Sequence, residues 1–184
     1  ADSLKPCTVP IFCLPGNHDT PELMADVMGR NKIRSNKLIK IGSWMIILLD
    51  SSLVGEHAGQ LSDAELEFLK QQLDVNPDCY CLIALHHHPV LINSPWMDSM
   101  MLRNADALFE IITPQQQVRA VICGHIHQQF EQQKKNIRLL GTPSSCLQFE
   151  PESLEFAVDQ KPPAYRRLEL FSDGELKSDV VYLA

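Results

Sequence analysis

The chain has 184 residues, 45% of them hydrophobic and 21% charged, a balance that suits one globular domain with a real core and excludes a disordered or fibrous chain. A formal charge of −7 argues against a nucleic-acid polymer held on a broad basic face, because phosphate neutralisation needs clustered Lys and Arg. An anionic ligand would have to be drawn by something else, and metal ions would serve.

In chain order, "TVPIFCL" is rich in Val, Ile and Phe and ends in Pro-Gly, so a buried strand is expected to feed the loop "GNHD". Thr20, Pro21 and Glu22 then open a helix over about Pro21 to Met28 that stops near Gly29. "KLIKI" and "WMIILLD" flank Gly42-Ser43, a two-residue hairpin signal. Ser62 with Glu65 forms a capping box ahead of Leu66, Leu69 and Leu73, which predicts a helix over about Asp63 to Leu73. "CYCLIAL" reads as a second buried strand running into His86-His87-His88-Pro89, and a loop to about Arg103 precedes a helix over Ala105 to Ile112. "VRAVIC" is a third buried strand, ending in "GHIHQ". After it the period changes to hairpins: "QFEQQ" with "IRLLGTP", then "SCLQFE", then "AYRRLELF" with "ELKSDVVYL", with "EPESLEFAVDQKPP" a Pro- and acid-rich loop. An α/β first part followed by strands predicts one mixed sheet or two stacked sheets in a single domain over 1–184.

No apolar run reaches the ~20 residues that cross a bilayer, so no membrane partner is expected. The N-terminal "ADSLKPCTVP" has no basic stretch leading into an apolar one, so no signal peptide is expected. Six Cys (Cys7, Cys13, Cys79, Cys81, Cys123 and Cys146), mostly in apolar runs and without a CxxC pair, read as buried reduced thiols of a cytoplasmic protein.

The chemistry is carried by histidine. Six of the seven (His18; His86, His87, His88; His125, His127) sit in three groups, each directly after an apolar strand. In open α/β sheets ligands bind outside the carboxyl ends of the strands, so three strands delivering polar loops to one rim predict one site. His and Asn donors from three loops could hold a divalent metal. In "GHIH" the two imidazoles stand at i, i+2 and on a strand would face the same side. His57, in "GEHAG", reads as a solvated loop residue.

"GNHD", "HHHP" and "GHIH", in this order, resemble the second half of the calcineurin-like metallophosphoesterases. Within them the chain is similar to the bacterial class III 3',5'-cyclic AMP phosphodiesterases, through "LPGNHD", "LLDS", "GQLS", "LHHHP", "LRNAD", "CGHIHQ", "TPSSC" with "QF", and "RRLEL". The resemblance implies stacked mixed sheets flanked by helices and two divalent ions, Fe(II) or Mn(II). The cyclic ester of the nucleotide would open by direct attack of water, without a covalent intermediate. It implies Asn17, His86 and His125 as ligands of the second metal and His127 of the first, with His87 or His88 as alternatives to His86.

His18 would be catalytic, donating a hydrogen bond to the developing oxyanion. Asp19 would orient His18 or cap the following helix. Asn17, His18 and His127 would meet the substrate together with Arg103 and Asn104, while Trp96 is a candidate to stack on the base or anchor its loop. Asn104 reads equally as a helix N-cap.

The family's D-x-H and G-D motifs do not occur in the chain, of which 15 residues precede Gly16, and Asp2 cannot stand in for them. The expectation is therefore weak binding of the first metal and impaired activity in this chain alone. Two other readings are a truncated domain that binds one metal or a partner chain, and a phosphodiesterase for other esters such as glycerophosphodiesters. A sheet edge left uncovered would invite a homodimer.

Overall fold

The computed structural model of the chain describes residues 8–30, 33–34 and 36–183; Asp2 and Cys7 lie outside them. The elements run α1 (Pro21–Arg30), β1 (Leu38–Ile41), β2 (Trp44–Leu48), α2 (Asp63–Val75), β3 (Tyr80–Leu85), α3 (Pro95–Asp98), α4 (Ala105–Ile112), β4 (Val118–Cys123), β5 (Phe130–Lys134), β6 (Ile137–Gly141), β7 (Gln148–Phe149), β8 (Val158–Asp159), β9 (Ala164–Leu170) and β10 (Leu176–Tyr182). Six strands form one mixed sheet in the order β1-β2-β3-β4-β6-β5, and β9 with β10 forms a second, two-stranded sheet.

Burial explains why β2 and β3 read as unbroken apolar runs. One face of the large sheet carries Met45, Ile47, Ile83 and Val121 against Leu69 and Leu73 of α2 and Leu108 and Ile112 of α4. Truncating one of these leucines to Ala costs about 2–5 kcal/mol. On the other face Trp44, Leu82, Ala120 and Leu140 meet Leu176, with Leu168 and Leu170 packed beside them. The Trp44 indole Nε1 donates to the Phe171 carbonyl at 2.7 Å, tying the hairpin to the sheet. A strand covered on both faces leaves few positions for polar side chains, whereas β9 alternates buried or half-buried with exposed residues because it covers the sheet from one side only. The α2 cap is the expected one: the Ser62 hydroxyl accepts from the Glu65 amide at 3.2 Å.

What positions the site is strand direction. β2, β3, β4 and β6 run parallel to one another, so their carboxyl ends share one rim. The rim receives Ser51, the histidines after β3 and those after β4.

Three local expectations differ. Among the described residues "TVPIFCL" forms an isolated bridge, Phe12 with Arg34, rather than a strand; the Cys13 amide donates to the Arg34 carbonyl and the Arg34 amide to the Ile11 carbonyl. The segment "SCLQFE" contributes just Gln148 and Phe149, which pair with Asp159 and Val158 from within the expected loop. The described cysteines are free, but only Cys81 and Cys123 are buried and Cys146 is exposed.

Candidate metal centre

A Pro-Gly turn sets Asn17 and His18 at the rim. The Asp19 carboxylate accepts from the Gly16 amide at 2.8 Å, and the Asp19 amide donates back to the Gly16 carbonyl at 3.1 Å. The Asp19 carboxylate thus closes the turn back onto Gly16 and shapes the loop. Gly16 has to be glycine: a Cβ there would lie 2.8 Å from Cε1 of His86. The ring of His86 packs on the turn and ends beside Asn17.

Three donors meet at this point. His86 Nε2 lies 2.9 Å from the Asn17 side-chain oxygen and 3.2 Å from His125 Nδ1. Two ligands each ~2.1 Å from a shared ion stand roughly 3 to 3.4 Å apart, so the spacing fits a single cation. The donor chemistry fits as well, since imidazoles with an amide oxygen and no sulfur suit Zn, Fe or Mn.

Electrostatics keeps the lone pairs available. Burial, and then the neighbouring imidazoles, push His86 down to about 3 and His125 to about 2. At neutral pH the rings are uncharged, the form that binds metal. His127 is lowered too, mainly by burial. Its Nδ1–H donates to the Leu147 carbonyl at 3.1 Å, which fixes the tautomer and leaves Nε2 with its lone pair.

His87 also lies close enough to His86 and His125 to complete a group of three, but its nitrogens are committed. Its Nε2–H donates to the His57 carbonyl at 3.1 Å, and Nδ1 accepts from the Ser51 hydroxyl at 2.8 Å. The same hydroxyl accepts from the His87 amide at 3.3 Å. Fully satisfied and buried, His87 is a post between three loops, and Asn17 is the better third donor. His88 is buried as well, with Nε2 3.5 Å from the Asp98 carboxylate, and its ring stacks on His125.

The i, i+2 geometry expected of "GHIH" is replaced by something less regular. His125 and His127 follow β4 with φ of 63° and 47°, a left-handed backbone that is uncommon outside glycine and concentrates at functional sites. His125 turns in to the cluster, and His127 stacks flat on Phe149, 4.3 Å between centroids.

One cavity of about 300 Å³ is lined by Asn17, His18, His86, His125 and His127. His57, expected to be plain solvated loop, joins them: its Nδ1 is 3.3 Å from the Asn17 amide nitrogen and its ring centroid 5.8 Å from that of His18. The sequence signal was slender, a single imidazole outside the three groups.

Arg103 and Asn104 are not brought into this cavity. Arg103 pairs with Glu56 at 2.8 Å and lines a different cavity. The Asn104 amide clamps Leu61, accepting from its N–H at 2.9 Å and donating to its carbonyl at 2.8 Å. It stands at the N-cap position of α4 without capping through its side chain. Trp96 does line the cavity with the histidines.

A helix-flanked pair of stacked sheets, with a nest of neutral imidazoles and an amide at the strand ends, is the architecture of a metal-dependent hydrolase. The chain belongs to the calcineurin-like phosphoesterase family, which it matches over residues 1–129. It is 40% identical over its full length to the 3',5'-cyclic adenosine monophosphate phosphodiesterase CpdA of Vibrio vulnificus, covering 68% of that protein. It is 38% identical, again over its full length, to the protein of the same name from Escherichia coli, covering 67% of it. The chain thus spans about two thirds of the length of these relatives, with shares of 64 to 68% among the first three. A dimetal phosphatase from Danio rerio superposes with a TM-score of 0.66 over 96% of this chain and 71% of that one, at 15% identity, a likeness of fold. Among the described residues no helix is long and apolar enough to cross a membrane.

Proposed function

We propose that the chain is the metal-binding and catalytic part of a cytoplasmic phosphodiesterase that hydrolyses 3',5'-cyclic AMP to 5'-AMP. The observation that carries the reading is the meeting of Asn17, His86 and His125 within 2.9 and 3.2 Å contacts at the strand-end rim of a calcineurin-like phosphoesterase. The names of its relatives supply the substrate.

In this reading Asn17, His86 and His125 hold one divalent ion, and His127 contributes to a second; the donor set suits Zn, Fe or Mn, and the family resemblance favours Fe(II) or Mn(II). When bound, such a pair of ions supplies an activated water and neutralises phosphate charge. The chain's own residues do the rest. Asn17 offers a neutral oxygen, so its site keeps positive charge for an anionic ester. His57 holds the other end of that amide. His18, beside Asn17 in the same cavity, donates a hydrogen bond to the phosphate oxygen where charge develops and hands a proton to the departing O3'. Water adds to phosphorus, the P–O3' bond breaks, and the hydroxyl and 5'-monophosphate are the products.

The test is an assay of the metal-reconstituted full-length protein on 3',5'-cyclic AMP beside 2',3'-cyclic AMP and a glycerophosphodiester, since this chain alone, without the D-x-H and G-D ligands, is expected to be impaired. Release of 5'-AMP from the first is expected. Cleavage of the other two alone would remove the substrate assignment and leave the metal centre standing.

A further inference from the structure

Beside His127 the lining of the cavity is aromatic. Trp96 of α3, Phe149 of β7 and Phe156 meet pairwise edge to face. Their centroid distances are 5.1 Å for Trp96–Phe149, 5.4 Å for Trp96–Phe156 and 5.5 Å for Phe149–Phe156, with planes crossed at 72 to 84°. Phe149 is shared with the metal side of the site, because His127 lies flat on it. All three rings line the same cavity as Asn17 and His18.

The segment that carries Phe156 is built, not loose. The Glu150 amide donates to the Ala157 carbonyl at 2.9 Å, closing the loop. The Ser94 hydroxyl donates to the Ser153 carbonyl at 3.0 Å, fastening it to the start of α3. The Phe149 amide donates to the His127 carbonyl at 3.2 Å, fastening it to the histidine loop. Yet Phe156 at the end of this scaffold is 63% exposed. With its loop tied down and one edge packed on Trp96 and Phe149, the ring keeps most of its surface open beside a polar site, where a flat group can lie against it.

We propose that Trp96, Phe149 and Phe156 form the base-recognition wall of the substrate site, seating a nucleobase while the attached phosphate lies at Asn17 and His18. The inference rests on the phosphodiesterase reading and deepens it by locating where a nucleotide is told from an alkyl phosphodiester. The metal side can grip any phosphate. A glycerol or choline group offers no π-face to the wall, whereas a base gains stacking on it. Phe156 is the ring most free to make that contact, and Trp96 and Phe149 hold it in place.

Binding can be read without turnover. Titration calorimetry with 5'-AMP and with ribose 5-phosphate, on the Mn(II)-supplemented protein, compares ligands that differ only in the base. The wall predicts that 5'-AMP binds about 5- to 150-fold more tightly than ribose 5-phosphate, the range that loss of one stacked base spans. In Phe156→Ala, whose exposed ring contributes little to the core, most of this ratio should vanish while ribose 5-phosphate affinity holds. Trp96→Phe, which keeps an aromatic ring, should retain part of it. Equal affinities in the parent protein, or a loss in Phe156→Ala that falls equally on both ligands, would overturn the wall. Hydrolysis of cyclic AMP would still stand in either case. Failure of both ligands to bind the parent protein would overturn the wall and the phosphate site together.

Discussion

The side-chain oxygen of Asn17 lies 2.9 Å from Nε2 of His86, a contact between a turn before the first helix and the end of a central strand. It is the junction of the site, because His125 reaches the same nitrogen from the neighbouring strand. Neither residue is held there by its own segment alone. The Asn17 amide is steadied by His57, and the His86 ring rests on Gly16.

Replacing His86 by Ala removes the donor common to both contacts. Affinity for Mn(II) or Zn(II) should fall by more than the ~10- to 100-fold that loss of an outer partner typically costs. Calorimetric titration of the metal-free protein reads this directly. An unchanged affinity would place the ion elsewhere.

Ser51→Ala tests the His87 post. The hydroxyl is fully buried and serves His87 as donor and acceptor at once. Its loss leaves a buried ring nitrogen unpaired, at a cost of about 1–3 kcal/mol. Urea unfolding should show the lower midpoint with an unchanged slope. Metal affinity should also drop, since the post ties the His57 loop to the strand end.

The protein should lose stability in mild acid. Burial holds His87 and His88 near 4, His86 near 3 and His125 near 2, against a usual 6.5. Between these values the unfolded chain takes up protons that the folded chain refuses, so stability rises with pH across the window. It is present above about 6.5 and lost progressively as the pH falls toward 4 and below, each group adding up to ~1.4 kcal/mol per pH unit. Unfolding midpoints at pH 7 and pH 5 check this, and equal values would contradict it. A divalent cation, competing with protons for the same lone pairs, should move the loss to lower pH.

Arg103→Ala is expected to do little. The guanidinium is half exposed and pairs with an equally exposed Glu56, a contact worth at most ~1 kcal/mol. The KM for cyclic AMP should be close to that of the parent. A large rise would return Arg103 to the substrate, where the "LRNAD" resemblance had put it.

The chain's linear text determined most of the scaffold and named Asn17, His18, His86, His125 and His127 of the cavity's lining, but not His57. Burial on both faces makes β2 and β3 legible as unbroken apolar runs, and the Ser62–Glu65 box marks the start of α2. Parallel strands with polar loops at their carboxyl ends oblige His86 and the "GHIH" pair to share a rim, and Asn17 and His18 join it from a turn that packs Gly16 on the His86 ring. Which atom faces which was settled only by tertiary packing. A left-handed backbone aims His125 inward and His127 onto Phe149, against the alternation a strand would impose. Ser51 and the His57 carbonyl, both distant in sequence, occupy His87 and so separate it from His86, although the two are neighbours of the same type. Leu61 likewise claims Asn104, and the three aromatic rings meet only because β7, α3 and the loop to Phe156 close on one another. Local pattern reports what a residue prefers, but its partners come from other parts of the chain, and hydrogen-bond satisfaction in a buried cluster is decided by those partners.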